Sequence, residues 1–261
     1  MRQDPAQRTN FFFTTTPLPC PYLDGRVERR LVTELMGPDA EQLGDHLSLA
    51  GFRRSHTIAY TPVCDGCSAC VSVRVPVRDF KPNKTQRRIF KRNADLVATD
   101  QPAIATDEQY ALFKTYIDTR HGDGDMALMG EHDYRALVEE TPVRSSLVEF
   151  RDTDETLVAS CLIDRLSDGF SAVYSFFAPD LKSRSLGTYV VLWLIERARL
   201  QGLDHVYLGF WVQGSPKMDY KRNFRPLEAH TPNGWKRLAE ASDQVPAQSM
   251  TNALEADTNS E

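Results

Sequence analysis

Three groups of residues in this chain combine types and spacings that can do chemistry. The first is a run of thiols, Cys64-Asp-Gly-Cys-Ser-Ala-Cys70, spaced C-x2-C-x2-C, with Cys20 able to supply a fourth. Such spacing suits zinc or an iron–sulfur cluster. Small buried cysteines also fill tight loops as apolar residues, and packing is the preferred reading, with no metal expected. Cys161, inside an apolar run, is core. The second group is cationic. Arg53, Arg54, Arg74, Arg87 and Arg88 carry planar guanidinium groups that can bind a carboxylate bidentately, and Tyr22 can line the same pocket. Arg78, Lys81, Lys84, Lys91 and Arg92 extend a basic stripe suited to phosphate. The third group is Ser215-Pro-Lys-Met-Asp-Tyr-Lys-Arg-Asn-Phe-Arg-Pro226. If helical, it places Lys217 and Lys221 on one face at i,i+4, with Tyr220 and Phe224 beside them as an aromatic pair. Basic and aromatic side chains together suit a single-stranded nucleic-acid end. Asp219 and His121 are the residues in a position to take a proton. No Ser-His-Asp or Cys-His arrangement is evident.

The elements that must position these groups follow from pattern. Phe11-Phe12-Phe13 is expected to pack. Residues 17–22 are too proline-rich for a helix and read as an ordered loop. A short strand within 26–35 ends at Gly37-Pro38, Asp39 caps a helix over 40–50, and Gly51 closes it. A strand runs through Ile58 and Tyr60, and 71–77 alternates at period two, with Pro76 marking an edge or an end. A very basic helix covers 85–95. Thr106 caps a helix over 107–120, a loop spans 121–125, and 133–140 is a short helix. Strands follow at 145–151, 156–166 and 170–177, separated by hairpin turns. A helix over 189–200 stops at Gly202, 205–212 is a buried strand, and Ser215-Pro216 opens a last helix.

Composition bounds the function classes. With 261 residues, 41% hydrophobic and 26% charged, the chain can bury a core. No apolar run approaches the roughly 20 residues of a membrane span, and the N-terminus lacks the pattern of a secretory signal. Five cysteines in a chain this size do not suggest a disulfide framework, so a reducing cytoplasm is expected. The net charge of −5 is unevenly spread: residues 1–100 hold 15 Lys and Arg against 11 Asp and Glu. The last 23 residues, 239–261, hold five acids and no base and are expected to be a disordered acidic tail. The division expected is therefore 1–100, 101–238 and that tail, with a nucleic-acid face possible in the first part.

The order strand, glycine-containing loop, helix, strand, helix after residue 170 resembles the second half of the N-acyltransferase (GNAT-like) architecture. That resemblance implies that strands 170–177 and 205–212 are parallel neighbours that splay apart, with the acyl carbonyl in the gap. It also points the N-terminus of the intervening helix there, behind the turn Leu186-Gly187-Thr188. Helix N-termini favour phosphate, which puts Lys182, Arg184 and Gly187 among the nucleic-acid candidates. The turn Lys182-Ser-Arg-Ser-Leu-Gly-Thr has a single glycine and lacks the clamp that coenzyme A requires. The fold class expected is α+β: an N-terminal cysteine-containing α/β subdomain plus a GNAT-like domain with a mixed twisted sheet flanked by helices.

Several segments then carry a closer resemblance. Pro-Lys-Met-x-Tyr-Lys-x-x-Phe-x-Pro over 216–226 resembles a signature of the arginyl-tRNA–protein transferases. Cys20-Pro-Tyr22, Gly51-Phe-Arg-Arg-Ser55, Tyr60-x-Pro-x-Cys-x-x-Cys-x-x-Cys70, the Arg74 strand and Gln86-Arg-Arg88 follow one another as in bacterial aspartate/glutamate leucyltransferases, the leucyl-tRNA–protein transferase branch of that family. The likeness covers about residues 11–238. It implies transfer of leucine from leucyl-tRNA to proteins that begin with Asp or Glu, marking them for degradation by a bacterial N-degron route. Leucyl-tRNA is the co-substrate, and no other cofactor is expected. Eukaryotic relatives link the corresponding cysteines to a metal cluster, which makes zinc or iron–sulfur at Cys20, Cys64, Cys67 and Cys70 the minority expectation. The aminoacyl ester is already activated, so positioning can supply most of the acceleration. Two rivals stay open: arginyl transfer on the same fold, and a non-enzymatic, metal-stabilised RNA-binding module. Oligomeric state is not readable.

Overall fold

Alternating apolar positions and well-placed caps resolve into two main sheets in a computed structural model that describes residues 10–120 and 125–238. The expectations for His121 and for the acidic tail lie outside the described residues. The N-terminal part runs β1 (Phe12–Thr14), β2 (Leu18–Pro19), β3 (Val27–Glu28), β4 (Arg30–Glu34), α1 (Ala40–Leu49), β5 (Arg53–Ser55) and β6 (Ile58–Pro62). Strands β1, β4, β6 and β5 form, in that order, an antiparallel four-stranded sheet, and β2 pairs with β3 as a ribbon.

The rest runs β7 (Cys70–Pro76), α2 (Lys84–Arg92), β8 (Val97–Pro102), α3 (Asp107–Arg120), α4 (Glu131–Glu139), β9 (Ser145–Arg151), β10 (Leu157–Arg165), β11 (Gly169–Phe177), α5 (Leu186–Leu200), β12 (His205–Val212), β13 (Glu228–Thr231) and β14 (Gly234–Arg237). These strands make an eight-stranded mixed sheet in the order β14-β13-β7-β12-β11-β10-β9-β8. The sheet takes strands from both sides of residue 100, with β7 between β12 and β13.

Both faces of this sheet are covered. Val148, Phe150, Cys161 and Ile163 pack towards α5, whereas Leu147, Leu162, Val173 and Phe176 join Phe113, Ile117 and Tyr134 of α3 and α4. The period-two switch along β9 and β10 sends neighbours to opposite cores, and burial on both faces explains why these strands read as continuous apolar runs. Reciprocal side-chain caps begin two helices. Thr106 and Gln109 cap α3, and Asn83 and Gln86 cap α2. Among the described residues no helix is long and apolar enough to cross a membrane.

Three local expectations are corrected. Phe11 to Phe13 do not pack as a cluster. They lie on and beside the edge strand β1, where Phe12 meets Phe52 at 6.1 Å while Phe11 stays 78% exposed. Asp39 precedes α1 without a side-chain cap. The segment after Ser215 is no helix with a shared lysine face. It is a turn followed by a five-residue 3-10 helix, Asp219–Asn223. Pro216 and Pro226 bound the segment, and Phe224 is pulled into the core at 1% exposure while Tyr220 remains 45% exposed. Core burial of Phe224 and Lys221 overrides the helical spacing.

Candidate active site

The site grows from where two parallel strands separate. Strands β11 and β12 pair only over Gly169–His205, Phe170–Val206 and Ser171–Tyr207. Beyond Ser171 the ladder stops. Leu208 is an extra residue in β12 against β7, and Gly209 takes φ +71°, as a β-bulge at a diverging strand does. Helix α5 connects the two strands. Its N-terminus lies by the far end of β11, where a Cβ on Gly187 would come 2.8 Å from the Phe177 ring. The single glycine is therefore needed for close packing.

The small sheet brings an arginine and a tyrosine to this gap. Arg53 and Tyr60 are register partners on β5 and β6 and share a face. Tyr60 packs edge-on to Phe210 of β12 at 5.8 Å. Arg53 enters between the diverging strands, with Nη2 donating to the Val173 carbonyl at 2.7 Å and Nη1 to the Leu208 carbonyl at 3.4 Å. Among the described residues it makes no ion pair with a carboxylate. Lys221 Nζ donates to the Phe210 carbonyl at 2.5 Å, and the residue is 3% exposed. Burial holds its amine well below the ordinary lysine range, and the nearby Arg53 charge lowers it further.

A cleft borders this gap, lined by Tyr22, Arg30, Tyr60, Cys70 and Phe210 together with the other three loop cysteines. Arg30 lies over the Tyr60 ring at 5.0 Å and pairs with Glu28 through bonds of 2.6 and 3.2 Å. Burial raises the Tyr22 phenol, with Tyr60 adding to the shift while Arg53 and Arg30 oppose it. Burial also pushes the Tyr220 phenol up to about 12, although the residue as a whole is half exposed. Its hydroxyl end is the desolvated part.

The other arginines are placed differently. Arg54 points away from Arg53 and is buried in a bidentate pair with Asp164, both bonds 2.7 Å, with Ser145 also bonded to that carboxylate. Arg74 sits at the paired end of β11 and β12. It is bound to Glu228 at 2.9 Å and the Tyr207 hydroxyl at 3.0 Å, and it lies 4.4 Å over Trp235. Arg87 and Arg88 are exposed on α2, Arg87 donating to the Pro82 carbonyl.

The basic stripe and the α5 turn, 91 residues apart in sequence, are brought together. Arg92 donates to the Ser183 carbonyl and Asn93 to that of Arg184. Lys182 is exposed, and Arg184 is paired with Asp95 at 2.6 Å. Lys217 and Asp219 are exposed, Asp219 facing Arg222 at 3.7 Å.

Cys20, Cys64, Cys67 and Cys70 gather around the cleft. The Cys64 thiol is engaged with the Arg29 backbone, and burial pushes the Cys70 thiol up to about 12. Among the described residues no three His, Cys, Asp or Glu side chains converge on a metal position.

Sequence reasoning missed Glu28, Arg30, Tyr60, Phe210 and Gly209. Two of these left a signal: Tyr60 opens the cysteine motif, and an isolated glycine such as Gly209 in an apolar strand marks a bulge or a close approach.

Known proteins similar to this chain in sequence fall in one family. A family model described as arginine-tRNA-protein transferase, N terminus, matches residues 18–88, and one described as arginine-tRNA-protein transferase, C terminus, matches 108–231. A protein of Paramagnetospirillum magneticum named aspartate/glutamate leucyltransferase is 58% identical over 90% of this chain and 96% of its own length. One of Rhodospirillum rubrum with the same name is 56% identical over 90% and 96%. Among solved structures, that of FemX aligns at a TM-score of 0.42 and 9% identity, covering 76% of this chain and 68% of the other.

Proposed function

We propose leucyl transfer on one premise: this chain belongs to the arginine-tRNA–protein transferase family. It is an aminoacyltransferase that moves leucine from leucyl-tRNA to the N-terminal amine of proteins beginning with aspartate or glutamate. On this reading the co-substrate is leucyl-tRNA and the partners are acidic N-termini. The leucine marks them for the N-degron route in the cytoplasm.

One observation carries the reading at the level of residues. Arg53 is a cation without an acidic partner among the described residues, held in the gap where β11 and β12 part. Its anchoring on two carbonyls leaves the guanidinium charge uncompensated, so an acceptor carboxylate is the natural counter-ion. Arg54 and Arg74 already hold carboxylates, which favours Arg53 as the reader of the acidic side chain. The ester carbonyl of leucyl-tRNA sits in the same gap. Its 3′ end arrives past the α5 turn, with phosphates along Lys182 and the exposed face of α2. Because the ester is activated, the protein mainly has to hold amine and carbonyl in contact.

The test is a transfer assay with leucyl-tRNA and arginyl-tRNA side by side, using peptides that begin with Asp, Glu or Asn. Leucine on Asp and Glu peptides is expected, with Arg53→Gln collapsing the ratio of Asp to Asn use. Arginine as the preferred donor overturns the leucyl assignment. An unchanged Asp-to-Asn ratio removes Arg53 as the reader.

A further inference from the structure

An acceptor bound in this way arrives with a handicap. A free α-amine has a pKa of about 7.7–8.0, so near neutral pH most acceptors carry an ammonium with no lone pair. Asp219 is exposed and faces Arg222. The group that stands in the gap is Lys221.

Three carbonyls of the diverging strands are occupied by side chains. Arg53 takes those of Val173 and Leu208, and Lys221 takes that of Phe210, two residues further along β12. Lys221 forms no ion pair among the described residues. The ionisable groups that act on it are Arg53 from β5 and Cys70 from β7, and the Tyr220 ring lies 5.8 Å from Nζ. A buried ammonium facing a guanidinium and lacking a carboxylate is costly. Burial and the facing guanidinium both favour the neutral amine, one N–H fixed on Phe210 and a lone pair left for a proton.

We propose that Lys221 Nζ accepts the proton from the α-ammonium of the acceptor, an inference that rests on the leucyl-transfer reading. The proton passes from acceptor nitrogen to Nζ. The freed lone pair forms the C–N bond at the ester carbonyl, and the bond from that carbon to the ribose 3′ oxygen breaks. A second proton from the attacking nitrogen goes to the departing 3′ oxygen, and Lys221 returns its proton to water. The arrangement also links specificity to rate. An acidic side chain docked on Arg53 cancels the charge that disfavours protonation of Lys221 and so makes it a better base.

The test compares wild type with Lys221→Ala and Lys221→Met at saturating leucyl-tRNA, folding checked by circular dichroism. Methionine keeps the buried stem if alanine opens a cavity. A kcat loss of about 10²–10⁴-fold is expected on an Asp peptide. A far smaller loss is expected on the matching peptide with an aminooxy N-terminus, whose amine is already unprotonated at neutral pH. Added primary amines should restore the alanine variant in proportion to their basicity. Equal losses on both peptides, rescue independent of basicity, or a kcat within tenfold of wild type overturns the proposal. A wild-type protein that transfers no leucine instead fails the underlying reading.

Discussion

Arg53 and Gly209 share one space. A Cβ built on Gly209 would lie 1.5 Å from Arg53 Nη1, and Gly209 holds φ +71°. The bulge in β12 and the guanidinium in the gap are therefore one device. Glycine is needed both for the positive φ and for the room the arginine takes.

Gly209→Ala should expel Arg53 from the gap and abolish discrimination between Asp and Asn acceptors. Because both substitutions remove the same contact, Gly209→Ala/Arg53→Ala should cost little more activity than Gly209→Ala alone. A double-mutant cycle in kcat/KM checks this, and additive losses would separate the two residues.

Arg54 and Asp164 should behave as structure. Both side chains are buried and joined by two bonds of 2.7 Å. Arg54→Ala strands a buried carboxylate and should cost about 3–5 kcal/mol, read by urea unfolding. Arg54→Met/Asp164→Leu should recover much of it. Were the double variant no more stable than the single, the stranded charge would not be the cause.

Two thiols, Cys70 at the cleft and Cys161 in the core, should stay unreactive near neutral pH. Burial pushes Cys70 and Cys161 up to about 12. Since the thiolate is the reactive form and raised values keep it scarce, both should resist iodoacetamide at pH 8 in the folded protein and label rapidly once unfolded. Labelling of Cys70 should climb as pH rises towards 12 while the fold holds. Mass spectrometry of labelled peptides decides it, and full labelling of native Cys70 within minutes at pH 8 would contradict the burial.

Lys217 and Lys221 should separate functionally despite their spacing. Exposed Lys217 fits a phosphate contact. Lys217→Ala should weaken tRNA binding and flatten the logarithmic salt dependence by about 0.7–0.9, leaving acceptor choice intact. An unchanged slope in filter binding would exclude that contact.

The elements built on local rules were legible residue by residue. Strands 145–151 and 205–212 and helix 107–120 match prediction and structure end to end, because apolar periodicity and the Thr106 cap act within each segment. The family was also readable, from the cysteine loop and the 216–226 motif together. What periodicity misjudged was the segment after Ser215, where i,i+4 spacing suggested a shared lysine face. Core burial of Phe224 and the bond from Lys221 to Phe210 draw that segment onto β12 instead.

Five arginines were equivalent on chemical grounds alone, and Arg30 was not among them. Which of Arg53, Arg54 and Arg74 stays without an acidic partner depends on contacts across 110 to 155 positions: Asp164 claims Arg54, Glu228 claims Arg74, and Val173 and Leu208 hold Arg53 by their carbonyls. The sequence by itself determined the segments, their periodicity and the family. Only the tertiary structure decided which charges are cancelled and which remain for a substrate, since charge compensation depends on distance in space rather than on spacing along the chain.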